Sequence, residues 1–503
     1  MFVNPHSRPW RLALVLLAAL TACTGGPPVP PSASSSVSPT ATPAPRDFTV
    51  VTAEHVTTTD PAVVTTDVGA IMALNLYQRL MLVQPGTGIL KPDLAADCLF
   101  TADTVYECQL RKDLVFSNGH ALTSSDVRFS VLRALRLQVP GTSLSLINSL
   151  DRIEVPDAQT VRFRLLWPDT QFGYGLATPG LSIVDEEYYD PDAPLPLKSA
   201  PVGSGPYTLA AIDDDGATLA KAVNYVGPDV GEITPIRLRY GDSAAAEASL
   251  AQGTTDVIWR TLDAPALARL QAEVDATGTG ATASGFLRLP MTNTVVRRLV
   301  WNPDSARRRN APLRRAVARA LQADRTLDSL VPPAVTGHAA AFAVGGTPKI
   351  TKIAGKRITL SLSYPAAAPG LGDLARLLRD RLESSAGVSV HVVADDPDAD
   401  LRLTERGAWV NTAMGWLQEY LDDPLPASRE TLADLEQRAR SAPKADDRLA
   451  ALIELQKQAA RDATVLPVAA LPGTLVVRER LELVGEAFGP GWQLGLWGFR
   501  WRN

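Results

Sequence analysis

The sequence has few histidines and cysteines and lacks the motifs that several common enzyme classes use for catalysis. Its 503 residues include only five histidines and three cysteines, and the histidines stand far apart. It has no phosphate-binding loop, H-E-x-x-H zinc motif, G-x-S-x-G nucleophile or G-x-G-x-x-G dinucleotide fingerprint. We therefore expect neither an enzyme nor a bound metal or cofactor.

One partial match to a catalytic motif remains. Ser441 and Lys444 fit the S-x-x-K of penicillin-recognising enzymes. However, Pro443 lies inside what should be a helical turn, and no K-T-G motif follows. A hydrolase is therefore kept only as a third alternative.

Basic segments and long apolar segments are also scarce. The densest basic cluster, Arg307–Arg309 with Arg314 and Arg315, is typical of a solvated loop and helix face. Acidic residues outnumber basic ones by 54 to 49, so we expect no nucleic-acid partner. Beyond the N-terminus, no run approaches the roughly 20 apolar residues of a transmembrane helix. The composition indicates a globular body in water.

The N-terminus carries a short apolar run, Leu12–Leu20, which follows Arg8 and Arg11. It is too short to span a membrane but suits an export signal. The run ends in Leu-Thr-Ala-Cys, which resembles the lipobox of bacterial lipoproteins. The resemblance implies that residues 1–22 are a signal peptide, that Cys23 is lipidated, and that the protein is anchored to the cell membrane outside the cytoplasm. The alternative is an ordinary secretory leader.

The segment after Cys23 is rich in Pro, Ser and Ala up to residue 45. Such a composition cannot bury enough apolar surface to fold, so we expect a disordered stalk. The other two cysteines, Cys98 and Cys108, flank a predicted turn that would place them opposite each other on antiparallel strands. Outside the cytoplasm this favours a disulfide, with two reduced buried thiols as the alternative.

From Phe48 onwards, strand and helix patterns alternate without an internal repeat. Thr123 is suited to cap a helix over Ser124–Leu137, and Asn310 to cap another that ends at Leu321. Tyr207–Val223 has the pattern of a hairpin. This alternation favours an α/β fold.

The segment Met414–Tyr420 places Trp416, Glu419 and Tyr420 close together, in what the pattern predicts to be a strand leading into a loop. Aromatic side chains offer contact area at low entropy cost, and a shielded carboxylate can hold a cationic group. From the residues alone, a ligand site and a partly buried aromatic loop are equally open.

Several segments in order resemble the family 5 extracellular solute-binding proteins, which capture solutes for ABC importers. The longest is YECQLRKDLVFSNGHALTSSDVRFSVLRAL, at residues 106–135. Shorter matches to the family's patterns are TDP at residues 59–61, NLYQRL at 75–80, PVGSGPY at 201–207, LRRAVARALQADR at 313–325 and GWLQEYLDDP at 415–424.

The resemblance implies a two-lobed α/β fold of the periplasmic-binding-protein type, class II and cluster C, with an inserted third subdomain. Lobe I would combine residues 46–71, 200–289 and 475–503, and lobe II would span residues 290–474. The insert would be residues 72–199. Lobes of this kind close on a ligand by a hinge motion, so the ligand is expected in the interlobe crevice.

The resemblance also implies particular ligand-binding residues. In peptide-binding members, an aspartate three residues after the motif tryptophan binds the ligand's α-ammonium. That position is Glu419 here, so Trp416 would form an apolar wall and Glu419 the ammonium partner. Asn75 and Tyr77 would lie at the cleft edge of the insert. Two features depart from the family pattern: Glu419 is one methylene longer, and an Ala/Gly-rich stretch at residues 331–346 replaces a helix-forming segment.

These features together predict a lipid-anchored, monomeric receptor that delivers short peptides or another amine-bearing solute to an ABC permease and its ATPase subunits. The alternative, from a different class, is a degenerate solute-binding fold that signals or scaffolds without transporting. The shorter segment after Leu330 motivates that alternative.

Overall fold

The computed structural model describes residues 47–502, apart from 86, 229, 347–356, 485–486 and 490. The predicted signal peptide, Cys23 and the stalk lie outside the described residues. Across the described part of the chain, no helix is both long and apolar enough to cross a membrane.

A ten-stranded mixed sheet forms the frame of the molecule. Its strands, from one edge to the other, are β14 (Ser389–Ala394), β13 (Thr359–Tyr364), β15 (Leu401–Arg406), β12 (Phe286–Trp301), β16 (Val465–Arg478), β11 (Val257–Trp259), β1 (Phe48–Thr52), β10 (Ile236–Tyr240), β9 (Gly216–Lys221) and β8 (Tyr207–Asp213). The long antiparallel pair β12 and β16 joins one half of this sheet to the other.

Two large hydrophobic clusters flank this long pair. The first core cluster draws mainly on residues 48–259 and 475–499, and the second on residues 296–468. Trp409 and Val410 come from the second stretch of chain but are buried in the first core cluster. The two halves of the molecule are therefore in direct apolar contact.

The predicted insert contains a small antiparallel sheet ordered β4 (Ala95–Ala102), β5 (Val105–Leu110), β7 (Thr160–Leu165) and β6 (Leu150–Asp157), and a hairpin of β2 (Met81–Val83) and β3 (Leu90–Pro92). Cys98 lies directly opposite Cys108 in β4 and β5, and a disulfide joins them. Helix α2 (Ser124–Leu137) begins with a capping box, because Thr123 and Asp126 each bind the other's backbone N–H. Its predicted bounds are confirmed.

The remaining elements are α1 (Asp67–Leu76), α3 (Phe172–Gly175), α4 (Ser243–Ala251), α5 (Ala264–Thr277), α6 (Ala311–Ala320), α7 (Leu371–Ser385), α8 (Ala413–Leu421), α9 (Arg429–Ser441), α10 (Ala445–Asp462) and the hairpin of β17 (Leu481–Leu483) and β18 (Phe499–Trp501). Asn310 caps α6 as predicted, because its Oδ1 accepts from the Leu313 N–H. The expectation that Met414–Tyr420 is a strand and loop is wrong. This segment lies within α8, which Thr412 caps because its side chain accepts a hydrogen bond from the Gly415 N–H.

Candidate functional site

A cavity of about 840 Å³ lies between the loop that follows α2 and the β12–β15 end of the main sheet. We call it the cleft. Among the described residues, those of the insert that line the cleft, from Leu135 to Asn148, are all neutral. The charged lining residues of the described chain come from the opposite wall: Arg298, Arg308, Arg402, Arg406, Glu419, Asp422 and Asp423.

Strand β15 supplies a row of polar side chains to the charged wall. Alternate residues of a strand point to the same face, so Arg402, Thr404 and Arg406 line the cleft together. Leu401 and Leu403 point the other way, into the second core cluster. The Nε of Arg402 and the Oγ1 of Thr404 are buried and have no hydrogen-bond partner among the described residues. Three further buried atoms of lining residues share this state, namely Arg298 Nε, Trp301 Nε1 and Arg308 Nε. Five polar atoms of the cleft wall thus lack a partner among the described residues.

Glu419 lies on α8 and lines the same wall. The guanidinium of Arg298 donates to its Oε2 at 2.7 Å and also to the carbonyl oxygen of Trp416 at 3.0 Å. Burial alone would raise the pKa of Glu419, but Arg298, with Arg406 and Arg402 further away, outweighs it and lowers the pKa below the ordinary value. Glu419 is therefore a charged carboxylate that already has one cationic partner.

Asp422 lines the cleft one helical turn beyond Glu419. More than a third of Asp422 is exposed to solvent. Partial desolvation by the cleft wall and the nearby carboxylates of Asp423 and Glu419 raise its pKa, while Ser145 and Arg406 act in the opposite direction. Asp422 is therefore a solvent-accessible acidic group of the cleft wall.

The structure corrects the expected role of Trp416. Its side chain is 1% exposed and packs in the second core cluster, so it does not form a wall of the cleft. Its indole N–H donates to Asn411 Oδ1 at 2.8 Å, and the Arg298 guanidinium lies 5.4 Å from its ring centroid. Trp416 therefore supports Arg298 from behind. The tryptophans that line the cleft are Trp301 and Trp409.

Asn75 and Tyr77 were also expected at the cleft edge, and both are buried elsewhere. The Asn75 amide donates to the carbonyl oxygens of Ile71 and Leu494, and its Oδ1 accepts from the Leu496 N–H. These bonds tie α1 to the C-terminal segment and leave no donor for a ligand. The Tyr77 hydroxyl contacts the Thr59 carbonyl oxygen and the hydroxyl of Tyr189. Both residues are structural.

Three hydrogen bonds, made by two side chains of the charged half, connect the walls of the cleft directly. The Trp409 indole N–H donates to the Gly141 carbonyl oxygen at 3.0 Å. The Gln418 amide, on α8, donates to the Thr142 carbonyl oxygen at 3.0 Å and to Ser145 Oγ at 2.8 Å. The cleft is therefore in a closed arrangement. Sequence reasoning missed both residues, although Gln418 lies inside the segment that it singled out.

A buried ion pair links the same two parts of the molecule at one side of the cleft. Arg440, on α9, binds both carboxylate oxygens of Asp169 in the insert, and the two side chains are 1% and 0% exposed. Arg440 also donates to the carbonyl oxygens of Ser145 and Leu146 and to Asn148 Oδ1. Nothing in the local sequence around Arg440 indicates this role.

A second set of ion pairs joins the two halves of the sheet. Arg260, which follows β11, binds Asp67 at 2.5 Å and Glu405 of β15 at 3.4 Å. Glu405 also accepts from Arg297 of β12 at 2.7 Å. Glu54 lies beside this network, and burial, followed by repulsion from Asp67, raises its pKa to about 7.

Comparisons with known proteins agree with this architecture. Residues 90–428 match the model for bacterial extracellular solute-binding proteins, family 5 Middle. The peptide transport periplasmic protein SapA of Salmonella typhimurium is 31% identical over 161 residues, which cover 28% of this chain and 29% of SapA. The matched part is thus less than a third of that relative's length.

Solved structures share the fold over most of the chain. The binding protein DppA from Helicobacter pylori, in complex with the peptide STSA, superposes with a TM-score of 0.76 at 18% identity, covering 91% of this chain and 98% of DppA. The protein AgaA from A. tumefacien R10, in complex with agropinic acid, has a TM-score of 0.76 at 19% identity, covering 91% and 99%. The two-lobed α/β fold expected from the sequence is confirmed.

Proposed function

Because this chain belongs to the family 5 bacterial extracellular solute-binding proteins, we propose that it is the lipid-anchored, extracytoplasmic receptor of an ABC importer. We propose further that it captures short peptides or another amine-bearing solute and passes it to the permease and ATPase subunits. The family consists of binding proteins and not of enzymes.

The observation that carries the proposal is the closed cleft with a charged wall. Its volume of about 840 Å³ lies in the range of small-molecule sites. One wall supplies both positively and negatively charged side chains that can form hydrogen bonds with a ligand. A solute held between the walls would contact both at once, which is how a ligand stabilises the closed form of a hinged receptor. The proposed lobe boundaries, residues 290–474 for lobe II and 72–199 for the insert, assign these walls to different bodies.

Glu419 is the proposed partner of the ligand's ammonium group. In the described part of the chain, only its Oε2 accepts a hydrogen bond, from Arg298, so Oε1 is available to the cleft. Arg298 keeps the carboxylate ionised, and Asp422 adds a second acidic group one turn away. A primary ammonium can donate to both at once.

Calorimetric titration with pools of di- to tetrapeptides tests the proposal. We expect saturable binding of one solute per chain, weakened in Glu419→Gln and unchanged in the control Glu430→Gln, which alters an exposed glutamate of α9. If no pool binds and no solute accompanies the purified protein, the importer function is wrong and the non-transporting alternative is favoured.

The lipid anchor is tested separately. We expect the full-length protein to partition with membranes in a bacterial host and the Cys23→Ser variant to be released. Equal membrane association of both proteins would contradict the anchor and leave the solute-binding proposal intact.

A further inference from the structure

The cleft has more positive groups than its acidic residues can neutralise. Four arginines line it, and Arg298 is the one that pairs with a lining carboxylate, through Glu419. Arg308 donates instead to the backbone carbonyl oxygen of Asp423. In the part of the chain that the structure describes, neither Arg402 nor Arg406 forms a side-chain hydrogen bond or an ion pair with an acid.

The three lining acids do not pair directly with these two arginines. The carboxylate of Glu419 is held by Arg298 at 2.7 Å, and Asp422 and Asp423 are exposed to solvent and form no ion pair with Arg402 or Arg406 among the described residues. The facing wall of the insert contributes no acidic residue. A carboxylate on a bound solute would therefore give Arg402 and Arg406 the direct partner that these acids do not provide.

Arg406 is also positioned by an aromatic side chain. Its guanidinium lies 5.0 Å from the ring centroid of Trp409, a cation–π contact that requires none of its N–H groups. Arg402 and Arg406 lie on either side of Thr404, on the same face of β15. The buried Arg402 Nε and Thr404 Oγ1 lack a partner among the described residues, and each would gain a carboxylate oxygen as acceptor if the wall shifts to expose it when a solute binds.

We propose that Arg402, Thr404 and Arg406 form a carboxylate-binding subsite, so that the receptor selects solutes with a net negative charge. This rests on the proposed solute-binding function and narrows it. An acidic peptide or another amine-bearing acid would place a carboxylate against β15 and its amine against Glu419. A neutral or basic solute would leave the arginines without a counter-charge in a partly desolvated site.

Titration with three peptide pools of equal length, which differ only in containing Glu, Ala or Lys beside otherwise identical residues, tests this preference. We expect the acidic pool to bind at least tenfold more tightly than the other two. If the neutral or basic pool binds best, the subsite is wrong while the receptor function stands. If no pool binds, the proposed receptor function is wrong, and the subsite, which rests on it, is wrong as well.

Variants identify the residues responsible. Arg402→Gln and Arg406→Gln should each weaken binding of the acidic pool by about ten- to a hundredfold, because a hydrogen bond to a charged group is lost. Arg402→Lys should bind the acidic pool more tightly than Arg402→Gln does, because lysine keeps the positive charge. If Arg402 acts only through packing, both substitutions should lower the affinity equally. The control Arg319→Gln alters an exposed arginine of α6 and should bind like the wild type.

Unfolding midpoints show whether each variant remains folded. Variants that fold like the wild type and lose preference for the acidic pool support the subsite. Folded variants that retain the full preference overturn it. If Arg402→Gln does not fold, Arg406→Gln and Arg402→Lys decide the outcome on the same criterion.

Discussion

Arg440 and Asp169 form a fully buried, two-contact ion pair between α9 and the insert, although 271 positions separate them in the sequence. Asp169 additionally accepts from Ser149 Oγ and from the Gln171 N–H, so its carboxylate is held by several donors. A buried pair of this kind is costly to break from one side, because the remaining charge loses a partner in a site without solvent. Asp169 would be left without its cation, whereas Arg440 would keep Glu436 at 3.0 Å.

Removing either member of this pair should destabilise the protein strongly. We expect Arg440→Met and Asp169→Asn each to lower the free energy of unfolding by about 3–5 kcal/mol. The double variant should lose clearly less than the sum, because the two changes remove one shared interaction. Urea unfolding measures all three. Arg438→Met, from an exposed pair with Asp434 on the same helix, is the matched control and should change little. Additive losses would show that the pair is not coupled.

The charge of Glu419 should matter for the ligand's amine specifically. Glu419→Gln retains a side-chain oxygen for Arg298 but removes the negative charge. We expect peptides with a free amino terminus to bind about tenfold or more weakly to this variant, while N-acetylated forms of the same peptides lose no affinity. Calorimetry with matched free and acetylated peptides checks this. An equal loss for both forms would mean that Glu419 acts only through the fold.

Asn75 should contribute to stability and not to binding. Its amide makes three buried hydrogen bonds, so Asn75→Ala should cost about 3 kcal/mol by leaving the carbonyl oxygens of Ile71 and Leu494 and the Leu496 N–H unsatisfied. Thermal unfolding measures the loss, and titration below the melting temperature should give an unchanged affinity. A weaker affinity with unchanged stability would show that Asn75 contributes to ligand binding.

Stability should fall as pH rises towards neutrality, because of Glu54. Its folded pKa of about 7 lies above the ordinary 4.5, so between these values the folded protein holds a proton that the unfolded chain has released. The stabilising effect is thus complete below about 4.5 and is lost by about 7. Urea unfolding from pH 4 to pH 8, in steps of about one unit, should show this decline, and Glu54→Gln should reduce it.

Asp422 also has a raised pKa, but it is exposed to solvent, so Asp422→Asn should change this slope less than Glu54→Gln does. Glu430→Gln serves as an exposed control. If Glu54→Gln leaves the slope unchanged, then the pKa of Glu54 is not raised in the folded protein.

Local sequence signals predicted the parts of the fold that local interactions decide. Thr123 and Asn310 cap their helices as expected, because an N-cap is a contact between residues two or three positions apart. Cys98 and Cys108 also lie opposite each other across a short turn. Segment α8 was mistaken for a strand and loop, since a Met-Gly-Trp sequence has no clear helical preference. There, Gly415 permits the close approach of the Val410 carbonyl oxygen.

The cleft could be anticipated only in part, because most of its contacts are long-range. Glu419 was identified from its motif, but its pairing with Arg298 joins residues 121 positions apart. Trp416 and Asn75 occur in family motifs, but both are buried and support the fold. A motif match shows where a residue lies in the sequence and not whether its side chain is exposed. In the sequence, Arg402, Thr404 and Arg406 are only the polar positions of an alternating strand. That they line a cleft becomes visible only in the folded structure.

The most direct test of the account is mass spectrometry of the full-length protein purified under native conditions, followed by titration with the solute that it releases. We predict one amine-bearing, acidic small molecule per chain, whose affinity falls in both Glu419→Gln and Arg406→Gln. A protein that carries no solute and binds none of the peptide pools would contradict the account, as would a bound solute whose affinity neither substitution changes.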